Sequence, residues 1–201
     1  MTSTRNVATV ENEDFWEAYA MSLDDVTRRL RRITAALAEK SVPYAVVGGQ
    51  AVALWVATRQ PTAVRTTKDV DLLIRRDDLP RARAAALSVE MDYFEVLGVG
   101  MFLERSDPNP RGAVHLVWAG ERVRSEYELP SPPVEQRQDI SGIQTISLRG
   151  LVLMKLLSNR DQDRVHLRDM IDVGLVGRNS LEGLPPSLVE RLATLLSESG
   201  R

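Results

Sequence analysis

Cysteine is absent from the 201-residue chain, which excludes disulfide frameworks, zinc knuckles and thiol catalysis and fits a reducing compartment. Charge of either sign is not in large excess. A formal net charge of -2 excludes a globally basic nucleic-acid coat, although a local basic patch can still bind phosphates. No apolar run approaches the roughly 20 residues of a membrane span, and the opening Met-Thr-Ser-Thr-Arg-Asn lacks a signal-peptide core. The expectation is a soluble, cytoplasmic protein. Internal repeats and long low-complexity tracts are also missing. What is present, 43% hydrophobic and 27% charged residues, is the make-up of a globular body able to bury roughly 70% of its unfolded surface.

The first 21 residues read as a loose leader, within which Trp16 is a candidate contact for another chain. Ser22-Leu-Asp-Asp25 has capping-box form, and Val26, Leu30, Ile33 and Leu37 follow at helical spacing, which predicts an amphipathic helix over about 22–40. Its other face carries Arg28, Arg29, Arg31 and Arg32, either a solvated face or a phosphate contact. Tyr44 to Val47 reads as a buried strand running into Gly48-Gly49, and from Gln50 to the break at Pro61 the pattern is helical. Asp69 to Ile74 alternates like a strand. A helix around Leu79–Leu87 and short strands at 93–97, 101–104 and 113–118 come next. Pro130, Pro132 and Pro133 mark a loop, and three helices are expected after residue 147. This order predicts an α+β fold, a mixed β-sheet flanked by helices, with a core over 22–146 and a helical C-terminal extension over 147–201 packed on it.

One stretch carries chemistry. Residues two apart on a strand share a face, so Asp69 and Asp71 point together while Val70 and Leu72 enter the core. Two adjacent carboxylates suit Mg²⁺, which completes its shell with phosphate and water. A glycine pair before a helix lets the backbone approach a phosphate, and the exposed N–H groups of the helix start attract anions. One half can hold a metal and the other the triphosphate that the metal bridges.

Val46-Val-Gly-Gly-Gln-Ala51, Arg65-Thr-Thr-Lys-Asp-Val-Asp-Leu-Leu-Ile74, and Met154-Lys-Leu156 followed by Arg160-Asp-Gln-Asp163 and Asp169 resemble the nucleotidyltransferase superfamily that includes DNA polymerase beta. The likeness is greater to its minimal bacterial members around the AbiEii-type toxins, and it covers about residues 42–175. The resemblance implies transfer of a nucleoside monophosphate from an NTP to an RNA, protein or small-molecule acceptor, with Mg²⁺ or Mn²⁺. It implies Asp69 and Asp71 as metal-binding and catalytic, and Gly48, Gly49, Gln50, Arg65, Thr67 and Lys155 as nucleotide-binding. A toxin-like role would bring a cognate antitoxin as partner.

The superfamily places a third carboxylate on a later strand, where this chain has His115. An imidazole can accept a proton but is a poor partner for Mg²⁺. Three outcomes stay open: His115 serves as base or ligand, Glu104 supplies the carboxylate, or the fold binds a nucleotide or partner without transfer. Elsewhere, Asp163, His166 and Asp169 share one helical face, read as an ion-paired helix surface supported by Arg164 and Arg168, with a metal site as the alternative. Trp55 and Trp118 are assigned to the core rather than to base stacking.

Overall fold

The computed structural model describes the backbone of residues 12–200 and the side chains of residues 24–110 and 112–200. Residues 1–11 of the expected leader and the Trp16 side chain therefore lie outside the described part. Helix α1 runs from Asn12 to Glu39, so Ser22 sits inside a helix and does not cap one. Val26, Leu30, Ile33 and Leu37 of α1 are buried, as their spacing requires.

The chain then lays down β1 (Tyr44–Val47), α2 (Gly48–Ala57), β2 (Val70–Ile74), α3 (Leu79–Ser88), β3 (Met91–Val96), β4 (Val99–Glu104) and β5 (Val114–Trp118). These are followed by β6 (Arg137–Ile140), β7 (Ile143–Ile146), α4 (Leu148–Ser158), α5 (Asp161–Asp172) and α6 (Pro186–Glu198). The seven strands form one mixed sheet in the order β3-β4-β5-β2-β1-β7-β6. β2 pairs parallel to β5 and β1 parallel to β7, and the other neighbours are antiparallel.

The β6–β7 hairpin is an addition to the elements expected from the sequence. Its turn is Ser141-Gly142, both with positive φ (54° and 84°), the backbone of a tight hairpin turn. Its strands are four residues each, and the prolines before them mask the pattern.

The central strands are buried on both faces: Ala45, Val46, Leu72, Leu73, Ile74 and Val114 have no accessible surface. One contiguous apolar core joins them to α1, α3 and the C-terminal helices through Ile33, Ala85, Leu151, Leu167 and Leu192. Trp55 and Trp118 pack against this core. The Trp55 indole N–H donates to the Ile146 carbonyl at 3.0 Å, and the Arg76 guanidinium lies over the Trp118 ring at 4.2 Å.

The arginine face of α1 is largely spent on internal ion pairs. Arg28 holds Asp25, while Arg29 and Arg32 flank Glu104 at 3.5 and 3.3 Å. No helix among the described residues is long and apolar enough to cross a membrane.

Candidate nucleotide and metal site

The site is built where β1 ends. Val47 is in register with Asp71 on β2, so the next residue, Gly48, sits against the Asp71 carboxylate. Gly48 has φ of +68°, and a Cβ placed there would lie 2.0 Å from Asp71 Oδ2. Only glycine satisfies both the left-handed backbone and this approach. Helix α2 begins at this residue with no side chain capping its first turn, leaving its early N–H groups available to an anion.

Gly49, Gln50 and Thr67 serve as a bracket. A Cβ on Gly49 would meet Thr67 Oγ1 at 2.8 Å, and the Gln50 amide donates to the Thr67 carbonyl at 3.2 Å. These contacts clip the segment before β2 onto the start of α2, and so set where Asp69 and Asp71 stand.

Asp69 is exposed, immediately before β2, and Asp71, half-buried, is the one carboxylate of that strand. His115 on β5 is in register with Asp71, and its Nδ1 lies 3.8 Å from Asp71 Oδ1. The sheet thus brings His115 beside Asp71. Glu104 is not at this place, because it is held by Arg29 and Arg32. Burial pushes the Asp71 carboxyl above the usual range, and the Asp69 charge adds to this. His115, Lys155 and Arg160 act in the opposite sense. A carboxylate that is costly to ionise beside a second one is a site that gains from a cation.

Asp71 and Gly48 open into a cleft of about 310 Å³. Its lining also includes Lys155 and Ser158 from α4 and Arg160 and Asp163 at the start of α5. Lys155 is only 5% exposed, and its Nζ lies 2.8 Å from Asp163 Oδ1. Arg160 Nε lies 2.8 Å from the other oxygen, Oδ2. Burial alone would raise the Asp163 pKa, but Arg160 and Lys155 together hold it well below the usual carboxylate range. One buried anion thus fixes two cations facing the cleft.

Of the nucleotide-binding residues expected from the sequence, Gly48 and Lys155 line this cleft. Arg65 does not: its Nε donates to both oxygens of Asp169, each at 2.8 Å, tying the pre-β2 segment to α5. Sequence reasoning misses Arg124, Tyr127 and Ser158 as cleft residues. They carry no local motif, and only the tertiary fold brings them in.

The Asp163–His166 face of α5 is not the ion-paired surface expected. Asp163 and His166 are 1% and 7% exposed, because Lys155 of α4 packs against that face. Arg164 pairs instead with Asp161, and Arg168 with Glu198. Among the described residues no group of three or more His, Cys, Asp or Glu side chains could hold a metal ion.

No family model and no curated protein matches this chain. Among solved structures it is similar to an antigenic nucleotidyltransferase-like protein from Paracoccidioides brasiliensis, at 21% identity over 87% of this chain and 88% of that one, with a TM-score of 0.55. It is also similar to ANT(2'')-Ia in complex with adenylyl-2''-tobramycin, at 16% identity over 85% of this chain and 97% of that one, with a TM-score of 0.50. At these identities the likeness is one of fold, and the chain has a nucleotidyltransferase-like α+β fold.

Proposed function

We propose that this chain is a divalent-metal-dependent nucleotidyltransferase that moves a nucleoside monophosphate from an NTP to a hydroxyl acceptor. The observation that carries the reading is the meeting of Asp71, a glycine that admits no side chain, and the Lys155–Arg160 pair in one cleft. The donor set fits Mg²⁺ or Mn²⁺. Asp71 is a carboxylate disfavoured by burial, Asp69 acts on it electrostatically, and two carboxylates leave the rest of the shell for phosphate and water. Asp69 and Asp71 would hold the ion, which when bound neutralises charge on the transferring phosphoryl group.

Gly48 and the first N–H groups of α2 receive the β and γ phosphates, while Lys155 and Arg160 face them from across the cleft. The acceptor oxygen bonds to the α-phosphorus as the bridging α–β P–O bond breaks, and pyrophosphate leaves with the electron pair. The acceptor's proton passes to the imidazole of His115, beside Asp71.

One observation favours a second reading, a nucleotide-binding or partner-binding module without transfer: the third acidic position holds His115, a neutral ligand and a weak one for Mg²⁺. Titration of the purified protein with each NTP, with and without Mg²⁺ or Mn²⁺, followed by label transfer, separates the two. Binding with transfer supports the enzyme, binding alone supports a nucleotide-binding module, and no binding refutes both of these and leaves a partner-binding module on the same fold. The AbiEii-type toxin role, with RNA or protein as acceptor and a cognate antitoxin, rests on the sequence blocks alone. Growth arrest on expression of the chain, lost in Asp71→Asn, is its test.

A further inference from the structure

Beside its cations Arg124, Lys155 and Arg160, the cleft has apolar lining near the strand that carries His115. Val117, two residues beyond His115 on the same face of β5, lines the cleft together with Val99 of β4 and Val123 of the following loop. The pairing of Met101 with His115 carries Val99 to the neighbourhood of Val117. Val99 and Val123 are 45% and 55% exposed, although both face a cleft that already holds Asp71.

The hairpin that delivers Val99 is also apolar at its tip. Leu97 is fully exposed; with Gly98 it forms the two-residue turn between β3 and β4, at φ of +51° and +80°. Exposed apolar residues gathered at the mouth of a cleft mark a binding surface.

Charge narrows what that surface accepts. The carboxylates lining the cleft are Asp71 and Asp163, and Asp163 is already held by Lys155 and Arg160. In the adjoining hollow, Glu126 lies 3.8 Å from Arg124 and Glu128 accepts the Ser187 hydroxyl. In the cleft itself the cations Arg124, Lys155 and Arg160 outnumber the carboxylates Asp71 and Asp163, which disfavours an acceptor carrying ammonium groups. An RNA strand would compete with the triphosphate for Lys155 and Arg160.

We propose that the acceptor is a hydroxyl carried on an uncharged, apolar small molecule, seated on Val99, Val117 and Val123 with its oxygen toward His115 and Asp71. This rests on the nucleotidyltransferase reading, and it names the substrate class of that same site. The acceptor O–H loses its proton to His115, its oxygen bonds to the α-phosphorus, and the α–β P–O bond breaks to release pyrophosphate.

The probe is 4-butylphenol, an apolar body with one hydroxyl. Its binding to the full chain is measured by calorimetry, and its labelling from α-labelled NTP with Mg²⁺ is compared with that of an amino sugar and of total RNA. The expected result is saturable binding of the phenol and preferential labelling of it. In Val99→Thr/Val123→Thr, which keeps shape and lies at exposed positions, phenol affinity falls about tenfold and its KM rises with kcat unchanged, since roughly two half-exposed apolar contacts are lost. Mg²⁺–NTP affinity stays as in the wild type. Unaltered phenol affinity in the double variant, or labelling of the amino sugar or RNA in preference to the phenol, overturns the acceptor assignment alone. Failure of the wild-type chain to bind Mg²⁺–NTP overturns the nucleotidyltransferase reading, and this inference with it.

Discussion

Lys155 Nζ lies 2.8 Å from Asp163 Oδ1, with both side chains removed from solvent. Arg160 holds the second oxygen, so a single carboxylate stands between two cations of the cleft wall. Asp163→Asn would leave Lys155 buried without its counter-charge, and the expected loss of stability is roughly 3–5 kcal/mol by urea unfolding. A polyphosphate supplies the missing charge, so Mg²⁺–NTP should raise the Tm of this variant more than that of the wild type. Equal increments would show that the two cations do not face the nucleotide. The sign with pH follows from the depressed Asp163 value: its contribution is present above its unfolded value of 3.8 and is lost as pH falls through the folded one.

Asp71→Asn tests the metal seat. The Asp71 carboxyl is raised above 3.8 by burial, so folding favours its protonated form relative to the unfolded chain. Stability from that form is present below pH 3.8 and is lost as pH rises through the raised value. At neutral pH the asparagine variant, freed of a buried charge, should therefore be at least as stable as the wild type without metal. It should also lose Mg²⁺-dependent NTP binding. Thermal unfolding beside calorimetric titration checks both, and undiminished metal-dependent affinity would remove Asp71 from the metal site.

How far the site is legible depends on where its residues lie in the chain. Asp69-Val-Asp71 announces itself because alternation on a strand and the apolar run after it are local patterns, and the strand in the structure begins at Val70. His115 is legible only through the superfamily resemblance, as the residue at the third acidic position; the pairing of β2 with β5 is what sets it beside Asp71. Asp163 and His166 read as surface because a helix taken in isolation assigns its polar face to solvent. Only the packing of α4 on α5 shows that Lys155 fills that face. The start of α1 at Asn12 is hidden because the Ser22-Asp25 spacing mimics a cap in the middle of the helix.

Gly48→Ala separates strain from collision. At φ of +68° an alanine costs about 1–2 kcal/mol, and its Cβ would also stand 2.0 Å from Asp71 Oδ2, driving that carboxylate aside. Gly142 has φ of +84°, and a Cβ there would meet nothing within 4 Å, so Gly142→Ala carries the strain without the collision. Both variants should lose comparable stability from backbone strain, but Gly48→Ala alone should lose Mg²⁺–NTP affinity. Gly49→Val should weaken the same affinity by pressing on Thr67 Oγ1. Normal NTP binding by a folded Gly48→Ala protein would refute the phosphate cradle.

His166 provides a pH signature independent of catalysis. Burial, helped by the Lys155 and Arg160 charges and opposed by Asp163 and Asp169, lowers its pKa from 6.5 to about 4. Its Nε2 meets the Gln162 amide at 3.0 Å, and its Nδ1 has no hydrogen-bond partner among the described residues. The unfolded chain therefore takes up a proton below pH 6.5 that the folded chain refuses until about pH 4. Stability should fall across that window by up to about 3 kcal/mol and level off below it. In His166→Gln the neutral amide does not titrate, so the slope between pH 6.5 and 4 should flatten. Urea midpoints measured at about pH 7, 5.5 and 4.5 decide the matter. Parallel losses in wild type and variant would mean that His166 is protonated in the folded protein, and that Lys155 does not press on it as the structure describes.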